Sequence, residues 1–339
     1  MQYVVITYLC FSIVLYFLLG GADFGAGIIE LFTSKRNRHK TRTISYHAIG
    51  PVWEANHMWL IIAIVILFVG FPGIYTTMSV YLHIPLLCML FGIIARGTAF
   101  VFRSYDAVKD DMQTVYSDIF LLSSFITPFF LGVIAGSVIA GKIDTAADTF
   151  LSAYVFSWLH WFSVAVGCFT VALSGFLAAI YLIGEAKDEE NKKRFIKKAR
   201  MMNIAAVICG ALVFLAAWAD GIPLTDWVFG YTAGLVAVLA AIASLILLWI
   251  LIYRGDTNII RVLAGFEVVM ILFCIGYSHF PNFIMLKNGQ HISLFESLAP
   301  AKTINALGWA LLIGSIFILP ALGYLLYSFQ MKNEDVVAV

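Results

Sequence analysis

Residues 3–32 read YVVITYLCFSIVLYFLLGGADFGAGIIELF, an apolar run that carries one acid, Asp23, deep inside it. A bilayer core takes roughly 20 residues of helix to cross, and this run is longer. Backbone crossing lipid finds no water to bond, so it must satisfy itself as helix. Working outward, eight more such runs lie at approximately 45–70, 78–102, 115–140, 154–184, 200–219, 231–252, 259–280 and 303–330. Several exceed the span length, which predicts tilted or protruding helices. No alternation of strand or barrel type accompanies them. Composition agrees: 62% of the 339 residues are hydrophobic and 12% charged, against roughly 25% charged in a soluble domain, and mean hydropathy is +0.93. A solvated globular domain, a disordered chain and a disulfide-rich secreted module are excluded. The fold class is an all-α polytopic membrane protein with nine transmembrane helices, and 1–339 forms a single transmembrane domain.

Lys and Arg set the orientation. The loop after the first run holds Lys35, Arg36, Arg38, Lys40 and Arg42, and the linker between runs five and six holds seven more between Lys187 and Arg200. With Arg103, Lys109, Arg254, Arg261 and Lys332, seventeen of the 21 basic residues fall on one side. Only Lys142, Lys287 and Lys302 fall on the other, and Arg96 lies within a run. The N-terminus is therefore expected outside and the C-terminus in the cytoplasm. No basic residue precedes the first run, so it is expected to be a retained helix rather than a cleaved signal. The basic loops follow runs one and five. That spacing suggests a four-helix unit at 3–140, a second at 154–280 and a peripheral ninth helix at 303–330, although no residue-level repeat is evident. The charge-dense segment 185–200 reads as a solvated loop. Net charge +1 gives no basic surface suited to nucleic acid, and the five cysteines, in apolar runs without CxxC spacing, read as packing residues.

An ionisable group at the centre of a span costs roughly 2.5–3.5 kcal/mol on insertion scales, so each one calls for a partner or a wet cavity. At 1.5 Å per residue, Asp23 lies about 15 Å from the basic end of its helix, Arg96 about 10 Å, Glu54 about 13 Å and Glu267 about 12 Å. Gly50-Pro51 is a potential break, which would put Glu54 in the first turn of a new segment, where the helix dipole favours a carboxylate. Two readings remain open: a buried ion pair or triad fastening the first three helices, or a hydrated carboxylate relay in which Arg96 tunes its neighbours. His57, Met58, His83, His160 and His279 are candidate haem ligands by chemistry alone, but no pair has bis-haem spacing, and a lone membrane histidine more often bonds a neighbouring helix. Trp53 and Trp59 read as packing aromatics that fix helix rotation. Gly20, Gly21, Gly25 and Gly27 suit close helix contact. Pro85, Pro128 and Pro320 are expected to kink their helices.

The segments Gly20-Gly21-Ala22-Asp23-Phe24-Gly25-Ala26-Gly27, Gly50-Pro51-Val52-Trp53-Glu54-Ala55-Asn56-His57-Met58-Trp59, and Arg96-Gly97-Thr98-Ala99-Phe100 with Arg103 together resemble subunit II of cytochrome bd-type quinol oxidases. Phe280-Pro281-Asn282 and Ser293-Leu294-Phe295-Glu296 are similar as well, less distinctively. The resemblance implies a bacterial plasma-membrane complex that oxidises quinol and reduces dioxygen to water, taking the protons from the cytoplasm. It implies that the haems, b-type with d-type or b-type only, are bound mainly by a haem-bearing subunit I. It also brings into consideration a small accessory subunit, lipid, and a structural quinone of the kind some members hold. By the same resemblance Glu54 takes the proton-relay role, with Asp23 and Arg96 as supporting or alternative members; by its depth Glu267 is a further pathway candidate, and Trp53, Asn56, His57 and Trp59 are taken with Arg96 as structural or tuning residues. Many relatives carry Asp-Gly-Asn-Gln where this chain has Glu54-Ala55-Asn56-His57. The Glu–His variant resembles the branch that includes cyanide-insensitive oxidases, which leaves the third haem's identity open. Two other readings stand beside this one: a proton-coupled secondary transporter using Asp23, Glu54 and Arg96, and an autonomous haem carrier using His57 and Met58.

Overall fold

The computed structural model describes residues 1–50, 53–105, 112–186, 188–256 and 258–335. Among them nine helices are long and apolar enough to cross a membrane. The first span joins α1 (Gln2–Leu15), a π-helical turn (Tyr16–Gly20) and α2 (Gly21–Leu31). It leads into α3 (Lys35–Ile49), a basic helix too polar to span, and then into α4 (Trp53–Gly70). There follow α5 (Pro72–Tyr81), α6 (His83–Tyr105), α7 (Met112–Ile139), the short α8 (Phe150–Tyr154), α9 (Trp161–Glu185) and α10 (Glu189–Ala219). The chain closes with α11 (Leu224–Phe229), α12 (Thr232–Arg254), α13 (Asn258–His279), a β-hairpin of β1 (Asn282–Met285) and β2 (His291–Ser293), and α14 (Ala301–Asp335).

The nine expected runs are all present, and their ends shift for local reasons. The second run divides between α3 and α4, with Pro51 and Val52 outside the described residues. The third span starts at His83 because α5 ends at Leu82, so Pro85 sits in the first turn of α6, where a missing N–H breaks no helical bond and no kink is needed. The segment expected as a charged loop is instead the opening of α10. Glu, Lys and Arg are good helix formers, and the 31 residues of α10 reach about 46 Å, well beyond a core of about 30 Å. The hairpin is a correction to the expectation of no strands. Its antiparallel ladder, with one parallel bridge from Ile143 to Leu286, is too short to carry a periodic signal.

The fifth span, α9, holds the centre: 78% of its apolar window is buried inside the chain, against 6% for α14. It packs against α2, α7, α10 and α13, and small residues make the approach. A Cβ at Gly25 would collide with the backbone carbonyl of Ser174, and one at Gly27 with the Ser124 hydroxyl of α7. Close backbone approach is what holds helices together where lipid offers no hydrophobic drive.

The two basic segments meet at one end. Arg194 donates to the carbonyl of Asn37 and to Thr41 Oγ1 of α3, and Lys198 donates to the carbonyl of Phe32. At the opposite end Lys287 pairs with Asp144 at 2.8 Å. There too Asp220 Oδ2 accepts the Phe162 N–H at 2.8 Å and lies 3.3 Å from His160 Nδ1, while Lys142 donates to the Asp220 carbonyl. His160 caps α9, its Nδ1 accepting the Ser163 N–H. Burial lowers the His160 pKa below its ordinary 6.5, outweighing the opposing pull of Asp220.

Gly25→Ala is expected to cost about 1–3 kcal/mol by overpacking against backbone, lowering the thermal midpoint of the detergent-solubilised protein. Gly276→Ala, where no atom lies within 4 Å of the added carbon, is the matched neutral control. A second expectation concerns pH. A base whose folded pKa is depressed stabilises fully above its unfolded value, and that stability is lost as pH falls from about 6.5 toward the lowered folded value. Thermal stability of the wild type should therefore drop over that window, and His160→Gln should remove that part of the drop.

Candidate functional site

A carboxylate in a membrane-spanning helix needs a cation or a change of protonation. Asp23, in the first turn of α2, is fully buried and meets Arg96 of α6, itself 2% exposed in the side chain. Arg96 Nη1 donates to Oδ2 at 2.7 Å and Nη2 to Oδ1 at 2.9 Å, a two-pronged pair that matches the planar guanidinium to the carboxylate. Nη2 also donates to the Asp23 carbonyl and Nε to Ser124 Oγ at 3.1 Å. The rings of Phe24 and Phe120 lie 5.1 and 4.8 Å from the guanidinium carbon, adding cation–π attraction in a dry setting. Ser124 reaches Arg96 because Gly27 leaves it space.

Seven residues along each helix, two turns on the same face, the arrangement repeats. Glu30 is wholly buried, and Arg103 Nη1 donates to its two oxygens at 3.3 and 3.1 Å. Arg42 of α3 adds a bond from Nε to Oε1 at 3.0 Å. The Phe120 ring lies 3.9 Å from the Arg103 guanidinium carbon, so one ring serves both arginines. The second pair escaped the sequence reading, which took Arg103 only as a flanking base. Its signal was there: acids seven apart on the first span and arginines seven apart on the third.

On α4 the predicted residues face different ways. Trp53 packs on Phe100, ring centroids 5.2 Å apart, and its ring lines the position of Gly97. Asn56 is buried. His57 turns inward: Nε2 lies 3.9 Å from Asp23 Oδ2, and the ring is boxed by Tyr16, Phe24 and Trp53 at 5.7–6.2 Å. Trp59, 4% exposed, meets Phe11 edge-on and lines an apolar cavity of about 220 Å³ with Tyr8, Ile62, Leu311 and Ser315. Glu54 sits in the first turn of α4, exposed on the outer surface of the chain, and no hydrogen bond or ion pair joins it to a described residue. Glu267 of α13 is buried, with Oε1 lacking a hydrogen-bond partner among the described residues. No contact links it to Asp23 or Arg96, which it was expected to join. The structure thus brings Asp23, Arg96 and His57 into one site, leaves Glu54 one helical turn from His57, and places Glu267 apart.

The histidines weighed as haem ligands are engaged within the chain. His57 is closed in by three aromatic rings, His83 Nδ1 is engaged by the Val80 carbonyl, and His160 caps a helix. His279 Nδ1 is engaged by the Ile275 carbonyl, with the Trp227 ring 4.4 Å away. No group of three His, Cys, Asp or Glu suited to a metal occurs among the described residues.

The family model described as cytochrome bd terminal oxidase subunit II matches residues 1–329. Cytochrome bd ubiquinol oxidase subunit 2 of Bacillus subtilis is 31% identical over 207 residues, 60% of this chain and 59% of that one. Cytochrome bd-I ubiquinol oxidase subunit 2 of Escherichia coli K12 is 24% identical over 195 residues, 57% of this chain and 50% of its own. The aligned part of this chain thus spans little more than half the length of either relative. The solved bd oxidase of Geobacillus thermodenitrificans contains a chain with a TM-score of 0.74 at 16% identity, covering 97% of this chain and 98% of that one, which is a likeness of fold.

Arg96→Ala leaves the Asp23 carboxylate buried without its partner, and should destabilise by about 3–5 kcal/mol. Replacing both, as Asp23→Leu with Arg96→Met, should recover most of that loss. Thermal unfolding of the wild type, Arg96→Ala and the double variant measures it, and a wild-type midpoint for Arg96→Ala alone would show that the pair holds nothing together.

Proposed function

The chain belongs to the cytochrome bd terminal oxidase subunit II family, and from that membership we propose that it serves a membrane quinol oxidase as the partner of a haem-bearing subunit. Membership sets aside the transporter alternative. In this reading oxygen is reduced at haem held by the partner, and this chain braces that subunit and brings it protons. In this reading the basic end faces the cytoplasm, which the Lys and Arg distribution supports, and the route opens there.

One observation carries the proton reading: of the acids on the first two spans, Glu54 is exposed with no hydrogen bond or ion pair among the described residues, while Asp23 and Glu30 are each gripped by arginine. A buried carboxylate whose oxygens accept from guanidinium groups presents neither oxygen to water. Glu54 has no such clamp. It stands at the start of a spanning helix on the chain's outer surface, where it exchanges protons with the cytoplasm and passes them to the partner. Asp23 and Arg96 then hold α2 to α6 beside it, and Trp53 sets the rotation of α4. Glu267 is a separate protonatable group on the second half of the chain. The apolar cavity beside Trp59 is smaller than the roughly 300–1,000 Å³ usual for a whole drug-sized ligand, and it suits a segment of lipid or quinone tail.

Glu54→Gln keeps shape and removes the proton. Quinol-driven oxygen uptake of the purified complex should fall roughly tenfold or more, with haem absorbance and subunit yield unchanged, and Glu54→Asp should retain most activity. Undiminished turnover in Glu54→Gln would remove the carboxylate from the route.

A further inference from the structure

Beyond Glu54, the first and second spans bring two further proton-bearing groups together. His57 lies one helical turn after Glu54 on α4 and is 15% exposed in the side chain. Its Nε2 faces Asp23, and its Nδ1 is buried with no hydrogen-bond partner among the described residues. The Tyr16 ring lies 6.1 Å from the imidazole, centroid to centroid, and its hydroxyl is likewise buried with no hydrogen-bond partner among the described residues. Buried polar groups are almost always bonded, and those that are not call for an explanation such as an unseen water or a role in proton chemistry.

The backbone is shaped to hold this pair. Tyr16 opens the π-helical turn Tyr16–Gly20, a distortion frequent at functional positions. Its ring folds over Gly20 so closely that a Cβ there would lie 3.0 Å from a ring carbon. Two charged groups stand beside the ring: Asp23 faces His57 from α2 with 3.9 Å between Oδ2 and Nε2, and Arg96 of α6 is bonded to both Asp23 oxygens. Tyr16 and, on its own helix, Glu54 are further titratable groups near it.

We propose that His57 is the second carrier of the proton admitted at Glu54, handing it on to the hydroxyl of Tyr16; the proposal rests on the route through Glu54 advanced above. Glu54 gives up its carboxylic proton and returns to the carboxylate, and His57 becomes imidazolium opposite Asp23. His57 then releases a proton from its other ring nitrogen to the Tyr16 oxygen. Tyr16 gives up its own hydroxyl proton toward the partner, where water formation consumes it. No electron moves in this sequence; Glu54 and Tyr16 end as they began, and His57 ends as its other tautomer, which a ring flip or proton exchange resets before the next transfer.

The test uses the whole complex purified through a tag on this chain, comparing Glu54→Gln, His57→Gln, Tyr16→Phe and the double variant Glu54→Gln/His57→Gln. Oxygen uptake is measured across pH in H2O and D2O, with haem absorbance as the assembly control. His57→Gln should lose roughly tenfold in turnover, with a flattened pH profile and a larger solvent isotope effect. Tyr16→Phe should change in the same direction, and the double variant should be no slower than Glu54→Gln, as steps in series require. Slow Glu54→Gln beside wild-type His57→Gln would overturn the proposal and leave the Glu54 route standing. Full activity in both single variants would remove the route and the proposal together. A loss in His57→Gln without change in pH profile or isotope effect marks a packing role and overturns it. If His57→Gln does not assemble, Tyr16→Phe decides, since it keeps the ring and removes only the hydroxyl, and wild-type behaviour there rejects the proposal.

Discussion

The Asp23–Arg96 pair is the constraint around which the first half of the chain is arranged. Two charges taken out of water are costly unless they meet in good geometry with their remaining bonds satisfied. Here the guanidinium gives four hydrogen bonds, to both carboxylate oxygens, a carbonyl and a serine hydroxyl. Those bonds require α2, α6 and α7 to stand at fixed distances, which Gly27 permits against α7 while Gly25 admits α9 on another side. Glu30 and Arg103 repeat the pairing two turns away, with Phe120 between the two cations. A helix held at two points on one face cannot rotate, and the rotation of α2 settles what His57 meets when α4 packs alongside.

Depth along a helix was legible in the residues, and direction was not. Asp23, Glu54, Arg96 and Glu267 were all placed at similar levels by counting 1.5 Å per residue. Only the structure separates Glu267, on α13, from the others. Spans that are apolar on every side carry no amphipathic period from which to read a buried face, so rotation emerges only from packing. Glu30 lies two residues from the end of its run, where depth alone does not single it out, although its spacing from Asp23 matches that of Arg103 from Arg96.

Nine spans and the basic end were plain because lipid imposes length and loops impose charge. Where neither rule acts, reading faltered. The first turns of α10 are charged and helical, so low hydropathy disguised them as loop, and a hairpin with strands of four and three residues offers too few positions to alternate. Gly50-Pro51 is legible in sequence as a potential new helix start; Pro51 lies outside the described residues, and Glu54 stands in the first turn of α4.

The protruding turns of α10 bear on the order in which the chain is built. Arg194 and Lys198 hold down α3 and the loop before it through bonds to Asn37, Thr41 and Phe32, yet the ribosome makes them more than 150 residues later. During synthesis the early basic helix has no clasp until the sixth span emerges, and Asp23 likewise waits for Arg96, 73 residues downstream. The nascent chain therefore passes through an interval in which its most polar membrane groups are exposed, and whatever shelters them then governs how much of the protein survives to assemble.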